Sequence, residues 1–268
     1  MTATADSSVP LVEMRGIGKT YGNISALTGI SLRIHAGEVT GILGDNGAGK
    51  STLIKIMAGL HQPTEGDLLV DGEPTNFTTP ADALAKGIAT VYQNLAVVPL
   101  MPVWRNFFLG QELRGRGFPF RLDANAMRAT TLAELEKMGI ELPDVDAPIG
   151  SLSGGQRQCV AIARAVYFGA RVLILDEPTA ALGVKQSGVV LKYITAAKEA
   201  GFGVVFITHN PHHAHLVGNH FVLLKRGRQK LDCTRDEITL AHLTQEMAGG
   251  DELDAISQEI ALGRRPSS

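Results

Sequence analysis

The sequence predicts an α/β fold in which a mainly parallel sheet is covered by helices on both faces. Short apolar, strand-like runs alternate with stretches of helical spacing, which is typical of parallel sheets. The 268 residues are 44% hydrophobic and 19% charged, enough for a large core and a polar surface. That length fits one α/β domain, or one domain plus a small insertion. No internal repeat is visible, so the chain carries one set of motifs.

Composition excludes several classes of function. The formal net charge of −2 provides no basic excess for a phosphodiester backbone, so nucleic acid is not an expected partner. Two cysteines are too few for a disulfide framework and fit a reducing compartment. The first ten residues lack the features of a signal peptide, and no apolar run approaches the roughly 20 residues of a membrane helix. A role at a membrane therefore requires docking on another protein.

The N-terminal part of the chain has β-like alternation over 11–39. An apolar strand over 38–43 runs into a glycine-rich turn, and 50–60 has helical spacing. A hairpin is predicted over 67–76, because Asp71-Gly72 separates two strand-like runs. Another strand is predicted over 88–92.

A different pattern begins near residue 94. Helical spacing of Met127, Leu132, Leu135 and Met138, with Pro and Gly between segments, predicts a helical insertion over about 94–168 that ends with a helix over 153–168. The remaining elements are a buried strand (171–176), a helix (184–200), a strand (203–208), a helix starting at Asn210-Pro211 and two strands around Arg226-Gly227. We predict one domain over 8–250 and a polar tail over 251–268.

The turn after the 38–43 strand matches the pattern G-x-x-x-x-G-K-[ST], between a strand and a helix as that pattern requires. Its glycines allow successive N–H groups to point at phosphate oxygens, and the helix N-terminus adds its dipole. The alternative is a glycine-rich turn that only caps a helix. The predicted nucleotide-binding residues here are Gly44, Asp45, Asn46, Gly47, Ala48, Gly49, Lys50, Ser51 and Thr52.

Particular side chains at this turn predict ATP and Mg²⁺ as ligands. Lys50 supplies a charge for the β- and γ-phosphates, and the Ser51 hydroxyl is a Mg²⁺ ligand. Asp176 and Glu177 end an apolar strand, at the sheet edge where parallel sheets bind ligands. We assign Asp176 to the Mg²⁺ shell and Glu177 as the base for the attacking water. Carboxylates at strand ends are otherwise often turn formers.

Two polar residues at strand ends complete this set. Gln93 could reach Mg²⁺ or the water, and His209 could contact the γ-phosphate. Either residue alone is more simply a polar strand end, so both assignments depend on the order of the motifs.

The segment 152–158, LSGGQRQ, distinguishes this chain from other nucleotide-binding proteins. A serine N-cap and two glycines leave a second helix N-terminus open to an anion, whereas the simpler interpretation is a capped helix start. Because one chain does not need two such helix ends, the second is expected to close over ATP bound to another subunit. The residues assigned to it are Ser153, Gly154, Gly155 and Gln156.

GDNGAGKST, Gln93, LSGGQRQ, LILDEP and ITH together resemble the ATP-binding cassette (ABC) family, in order and separation, over nearly the whole chain. The resemblance implies a P-loop NTPase fold with an antiparallel β subdomain and a helical signature subdomain. It also implies adenine stacking on Tyr21 and a head-to-tail dimer of two copies with ATP at the interface. Ala180-Ala181-Leu182-Gly183 departs from the usual Ser-Ala-Leu-Asp, which puts the usual contact between opposing sites in doubt.

A finer resemblance is to importers of simple sugars such as fructose, ribose or xylose. It is carried by VYQNLAVVP, RNFFLGQE, DEPTAALGVKQ, ITHNPHHAH and MAGGDEL. It implies an ATPase at the cytoplasmic face of the bacterial inner membrane, bound to permease subunits and acting indirectly with a periplasmic sugar-binding protein. The alternatives are a non-transport ABC ATPase, an importer subunit for another small solute, and a soluble phosphotransferase, which the LSGGQ segment disfavours.

Two further features have alternative interpretations. The family resemblance implies that segment 93–110 receives the permease, and its aromatic and proline residues suit such docking: Pro99, Pro102, Trp104, Phe107 and Phe108. The alternative is that these residues pack the insertion's own core. Four histidines between 209 and 215 could suggest a metal, but they lack a recognised ligand spacing.

Overall fold

The computed structural model describes residues 9–115, 118–142 and 144–248. The predicted tail, 251–268, and the outermost residues of the predicted 8–250 domain lie outside these ranges, so both boundaries stay predictions. Within the described ranges, no helix has both the length and the apolar character needed to cross a bilayer.

Twelve strands and eight α-helices make up the described chain. The strands are β1 (Val12–Tyr21), β2 (Ile24–Ile34), β3 (Val39–Leu43), β4 (Glu65–Val70), β5 (Glu73–Pro74), β6 (Ile88–Val91), β7 (Arg114–Gly115), β8 (Phe118–Leu122), β9 (Val172–Asp176), β10 (Gly203–Thr208), β11 (His220–Lys225) and β12 (Arg228–Thr234). The helices are α1 (Lys50–Met57), α2 (Pro80–Ala85), α3 (Val103–Phe107), α4 (Ala124–Lys137), α5 (Gly154–Tyr167), α6 (Val184–Glu199), α7 (Pro211–Val217) and α8 (Leu240–Met247).

The central sheet has six strands in the order β12-β11-β3-β10-β9-β6. All neighbouring pairs are parallel except β11 with β12. A second sheet, ordered β2-β1-β4-β5, is antiparallel throughout. The predicted α/β class, with its mainly parallel core sheet and antiparallel β subdomain, is therefore confirmed.

Alternate residues of the central strands enter two different cores. On β9, Ile174 packs with α1 and the antiparallel sheet, whereas Leu173 and Leu175 pack with α5, α6 and the helical insertion. Both faces of the sheet are thus buried, which explains why the 171–176 strand is an uninterrupted apolar run.

The predicted helical insertion contains α3, α4 and α5, and also the short β7–β8 hairpin that the sequence pattern did not predict. Helices α2 and α8 were likewise missed, because six and eight residues are too few for a clear helical period. Helix α2 depends on its cap instead: the Thr79 side chain and Asp82 form a capping box, followed by Pro80.

The aromatic residues of segment 93–110 belong to the insertion's own core. Phe107 and Phe108 are fully buried, and both rings pack against Tyr167 and Phe168 of α5 and its C-terminus. Trp104 is 6% exposed, and its indole N–H donates to Asp146. The interpretation as a surface aromatic group is therefore wrong for these three residues. The Phe107 and Phe108 rings pack against α5 and its C-terminus, and the Trp104 ring packs with Arg128 of α4.

Replacing Phe107 with Ala should lower the free energy of unfolding by about 3–5 kcal/mol, because it opens a cavity among the rings around it. The matched control is Leu100→Ala, at a side chain that is 89% exposed, which should change stability by less than about 0.5 kcal/mol. Urea unfolding followed by the fluorescence of the single tryptophan, Trp104, measures both. Equal losses would contradict the burial of Phe107.

Candidate functional site

Four neighbouring parallel strands end at one edge of the central sheet. In the ladder, Leu43 of β3 lies beside Thr208 of β10, Ile207 lies beside Asp176 of β9, and Leu175 lies beside Val91 of β6. The segments that follow these strands therefore meet at one edge. They carry the glycine-rich turn, Glu177, His209 and Gln93, so the predicted catalytic residues converge.

The glycine-rich turn, 44–51, has the backbone that its sequence predicts. Gly44, Gly47 and Gly49 all have positive φ angles, of 145°, 83° and 106°, in a region that other residues rarely adopt. Gly49 is the N-cap of α1 and provides no side-chain cap, so the first N–H groups of the helix remain available to a ligand. Asp45, Asn46, Gly47 and Ser51 are exposed, Gly49 and Thr52 are half-buried, and Ala48 and Gly44 are buried.

Two segments from elsewhere in the chain support this turn, and sequence reasoning did not predict either. A Cβ atom at Gly44 would collide with the carbonyl oxygen of Leu224 at the end of β11. In the next turn, the Gly227 N–H donates to the Ala48 carbonyl over 3.0 Å, and the Gly227 carbonyl accepts from the Thr28 N–H over 2.8 Å. The β11–β12 turn therefore supports the glycine-rich turn in addition to forming an exposed hairpin.

Lys50 is buried and curls back over the turn that precedes it. Its ammonium group donates to the carbonyl oxygens of Gly44, at 2.5 Å, and Asp45, at 3.0 Å. Burial lowers the pKa of Lys50 below its usual range, and the nearby carboxylates of Glu177 and Asp176 oppose that shift. A cation thus lies beside the glycine-rich turn and the uncapped start of α1, an arrangement that suits phosphate.

Asp176, the last residue of β9, is half-buried beside the same lysine. Burial raises the pKa of its carboxyl group, the adjacent Glu177 carboxylate raises it further, and Lys50 partly offsets both effects. Two neighbouring carboxylates with one buried ammonium group favour an additional cation at this position.

Glu177 follows in a strained turn. Its φ angle is 48°, which is unusual for a residue with a side chain, and its N–H donates to the Ile207 carbonyl of β10 at 3.0 Å. Its side chain is 12% exposed, and its Oε2 atom lies 2.9 Å from His209 Nδ1. The imidazole is largely exposed, so it can hold Glu177 on one side and face a ligand on the other.

Gln93 lies at the same edge, two residues beyond the end of β6, with an exposed side chain. The residue between, Tyr92, has its phenol pKa raised by burial and by the Asp176 charge, which places this segment within electrostatic reach of the carboxylates. Strand β6 ends at Val91, one residue earlier than the sequence predicted.

Tyr21 ends β1 and is 40% exposed, so it is not a core aromatic residue. Its ring meets His61 edge-on, with centroids 5.7 Å apart, and the Lys19 ammonium group lies 5.3 Å from the ring centroid. The β2 residues Ala26 and Leu27 lie against Gly49, so the β1–β2 sheet borders the glycine-rich turn. One face of the Tyr21 ring is occupied by Lys19, which leaves the other for a planar ligand.

The LSGGQ segment forms the predicted helix start. Ser153 Oγ accepts from the Gln156 N–H, and Gln156 Oε1 accepts from the Ser153 N–H, which makes a capping box at the start of α5. The two glycines also have a packing role that the sequence did not indicate. A Cβ atom at Gly154 would lie 2.6 Å from the Leu182 side chain, and one at Gly155 would lie 3.2 Å from the Gln186 carbonyl oxygen.

Gly183, the residue that departs from the family pattern, is the N-cap of α6. It has φ −67° and ψ 162°, and no heavy atom lies within 4 Å of a Cβ atom built there. A side chain would therefore fit, so packing within this chain does not require glycine at 183.

The histidines between 209 and 215 have different partners. His209 contacts Glu177, His213 contacts Thr179, His215 stacks on Phe221 and His212 is exposed. Over the described ranges no three His, Cys, Asp or Glu side chains are grouped to hold a metal ion. The predicted Mg²⁺ site is of another type, since it uses one carboxylate, one hydroxyl and one amide together with phosphate oxygens.

A groove of about 300 Å³ lies between β6, α3 and α5. It is mostly apolar, and its lining includes Tyr92, Leu95, Val97, Gln111, Arg164 and Phe168.

Comparison with known proteins agrees with these motifs. The family model described as ABC transporter matches residues 27–180, more than half of the chain. A xylose/arabinose import ATP-binding protein from Sulfolobus acidocaldarius is 42% identical over 254 residues, which cover 95% of this chain and 96% of that protein. A fructose import ATP-binding protein from Rhizobium meliloti is 40% identical over 248 residues, 91% of this chain and 95% of that protein.

Among solved structures, the dimeric post-hydrolysis state of the ATP-binding cassette MJ0796, bound to ADP and Pi, matches with a TM-score of 0.69 and 30% identity. The match covers 84% of this chain and 98% of that one. The chain therefore belongs to the ABC transporter family. Within that family it is an ATP-binding cassette, of the P-loop NTPase fold that the sequence predicted.

Replacing Gly44 with Ala should lower the free energy of unfolding by about 1–3 kcal/mol, because a Cβ atom there strains φ and collides with the Leu224 carbonyl. Gly47→Ala is the matched control. Its φ angle is also positive, but no atom lies within 4 Å of the added carbon, so the loss should be smaller. Chemical denaturation without nucleotide compares the two, and equal losses would contradict the role of Leu224.

Proposed function

We propose that this chain is the ATP-hydrolysing subunit of an ABC importer of simple sugars, and that it acts as a dimer on the cytoplasmic face of the membrane. The observation that carries the proposal is the contact between Glu177 and His209 beside the glycine-rich turn, with 2.9 Å between their side chains. A site that only bound nucleotide would not need a carboxylate held in a strained turn by a histidine.

The residues at the sheet edge suit ATP and Mg²⁺. The N–H groups of turn 44–51 and the start of α1 face the phosphates, Lys50 exchanges its bonds to loop carbonyls for β- and γ-phosphate oxygens, and Tyr21 offers a ring to adenine. Ser51, Asp176 and Gln93 would hold Mg²⁺, and Asp176 next to Glu177 supplies the negative charge that favours it. When bound, the ion neutralises charge that develops on the phosphates.

Hydrolysis requires a base aligned with the γ-phosphate. Glu177 accepts a proton from the attacking water, and the strained turn and His209 fix the direction of its carboxylate. The exposed His209 ring also faces the γ-phosphate and can donate to its oxygens. Gln93, at the same edge, orients the water or the ion.

Two copies would complete each site. In one chain, Ser153 Oγ accepts from a backbone N–H but still has its own proton to donate, and the N–H groups of Gly154 and Gly155 are in the first turn of α5. These donors suit the γ-phosphate of ATP on a second copy arranged head to tail, with Gln156 holding the serine in place. That the 30% identical cassette forms a dimer supports an assembly of two copies.

The apolar groove between β6, α3 and α5 fits the expected permease contact. Its lining includes Leu95 and Val97 of segment 93–110, and Tyr92, the residue that precedes Gln93. Further along the same segment, Val98 and Leu100 have exposed apolar side chains. Movement of Gln93 with ATP could thus reach the membrane subunits through one continuous segment.

Simple sugars are the proposed cargo because the relatives named for xylose/arabinose and fructose import are similar to this chain over nearly its full length. In such systems a periplasmic sugar-binding protein and a permease would contact the sugar, while this chain supplies ATP hydrolysis from the inner face of the bacterial membrane. The formal charge of −2 favours no nucleic-acid role.

Replacing Glu177 with Gln should lower kcat for ATP hydrolysis by at least about 100-fold, because the amide cannot take the water's proton. ATP should still bind, so the variant should accumulate as an ATP-bound dimer. Phosphate release and size-exclusion chromatography with ATP measure the two effects. A variant that remains monomeric with ATP would contradict the dimer, and one with unchanged kcat would contradict the role of Glu177.

Deleting the gene should abolish uptake of one or more labelled monosaccharides among xylose, arabinose, fructose and ribose. A plasmid carrying the wild-type gene should restore uptake, and one carrying Glu177→Gln should not. If no monosaccharide is affected and uptake of another solute falls instead, the sugar assignment is wrong while the ATPase assignment stands.

A further inference from the structure

The segment that follows β10 contacts the strained turn after β9 at a second point besides His209. His213 Nδ1 lies 3.0 Å from Thr179 Oγ1, and Thr179 is buried, with 6% of its surface exposed. Thr179 is two residues after Glu177 in the chain, and His213 is four residues after His209. The segment after β9 and the segment after β10 are therefore joined by two contacts. One is at the proposed catalytic carboxylate, Glu177, and the other is at Thr179.

The turn between β9 and α6 needs support of this kind. Glu177 and Ala181 have φ angles of 48° and 59°, and neither is a glycine. Strained backbone of this type persists only when surrounding contacts hold it. Thr179 lies between the two strained residues, and its hydroxyl is the group through which α7 reaches the middle of the turn.

His213 is itself held firmly in place. Asn210 caps α7, and its side-chain oxygen accepts from the N–H groups of His212 and His213 at 3.0 Å and 3.2 Å. Burial lowers the pKa of the His213 imidazole, and the neighbouring His212 and His209 lower it further, which favours the neutral form of the ring. A neutral imidazole has one donor and one acceptor nitrogen, and the threonine hydroxyl can match either at Nδ1.

We propose that His213 is a positioning residue for ATP hydrolysis: through the Thr179 hydroxyl it fixes the turn that aims the Glu177 carboxylate. This inference rests on the proposed ATPase function. His213 touches neither the reacting atoms nor Glu177, so its loss should reduce the rate of the chemical step and leave nucleotide binding unchanged.

The test uses the full-length protein and four variants. His213→Leu removes the ring nitrogen, and Thr179→Val removes only the hydroxyl. His213→Asn returns a polar atom near the position of Nδ1, and His212→Leu is the matched control at an exposed neighbour on the same helix. For each variant we would measure kcat and KM for ATP, the Kd of a fluorescent ATP analogue, and Tm.

His213→Leu and Thr179→Val should each lower kcat by about 10-fold, with KM and Kd within about twofold of wild type, because a small displacement of the base slows the reaction without weakening binding. The double variant should also be about 10-fold slower, since both changes break one contact, whereas independent effects would give about 100-fold. His213→Asn should retain more than half of the wild-type kcat, and His212→Leu should match wild type.

Several results would overturn the inference. It fails if folded His213→Leu or Thr179→Val keeps wild-type kcat, if the two effects multiply, or if His213→Asn is as slow as His213→Leu. Should His213→Leu fail to fold, Thr179→Val decides alone, because it changes a single polar atom. If the wild type has no ATP hydrolysis that Glu177→Gln removes, the proposed function itself is wrong, and that outcome is distinct from those above.

Discussion

Strand β3 pairs in parallel with β10 on one side and with β11 on the other, and the candidate site depends on this arrangement. The β10 pairing brings His209 to the same sheet edge as the glycine-rich turn. The β11 pairing places the Leu224 carbonyl against Gly44, so the turn can leave β3 only along one path. Because backbone hydrogen bonds fix both neighbours, the turn and the proposed catalytic residues lie at the same sheet edge.

The same sheet explains why charged groups can be buried beside it. Lys50 and Asp176 are both partly removed from water, and burial alone would disfavour the charge on each. Each supports the charge of the other, and the loop carbonyls of Gly44 and Asp45 satisfy two of the lysine's three protons. A phosphate can replace those carbonyls as the lysine's partner, which makes binding an exchange of hydrogen bonds.

Glycines at the start of α5 serve two purposes at once. Within the chain they let the helix approach Leu182 and Gln186 closely, and they place no side chain over the first turn of α5. The segment from Glu177 to Gln186 therefore runs from the catalytic carboxylate to the signature helix of the same chain. The turn after β9 and the start of α5 are thus in close contact within one chain.

The sequence by itself determined the fold class and the candidate residues, because these depend on local patterns. Apolar runs and glycine spacing define strands, helices and the turn at 44–51 without reference to the rest of the chain. Segment 93–110 is a counter-example, because the identity of an aromatic residue does not tell whether it is exposed or buried. Only the packing against α5 shows that Phe107 and Phe108 belong to the core.

Contacts between distant segments were decided by the tertiary structure alone. Gly227 against Ala48, Leu224 against Gly44, and His213 against Thr179 join residues 34 to 180 positions apart, through single hydrogen bonds or close approaches that leave no periodic signal in the sequence. The glycine-rich turn is thus specified locally as a phosphate-binding loop. Its exact path, and the direction of Glu177, are set by neighbours that only the folded sheet brings together.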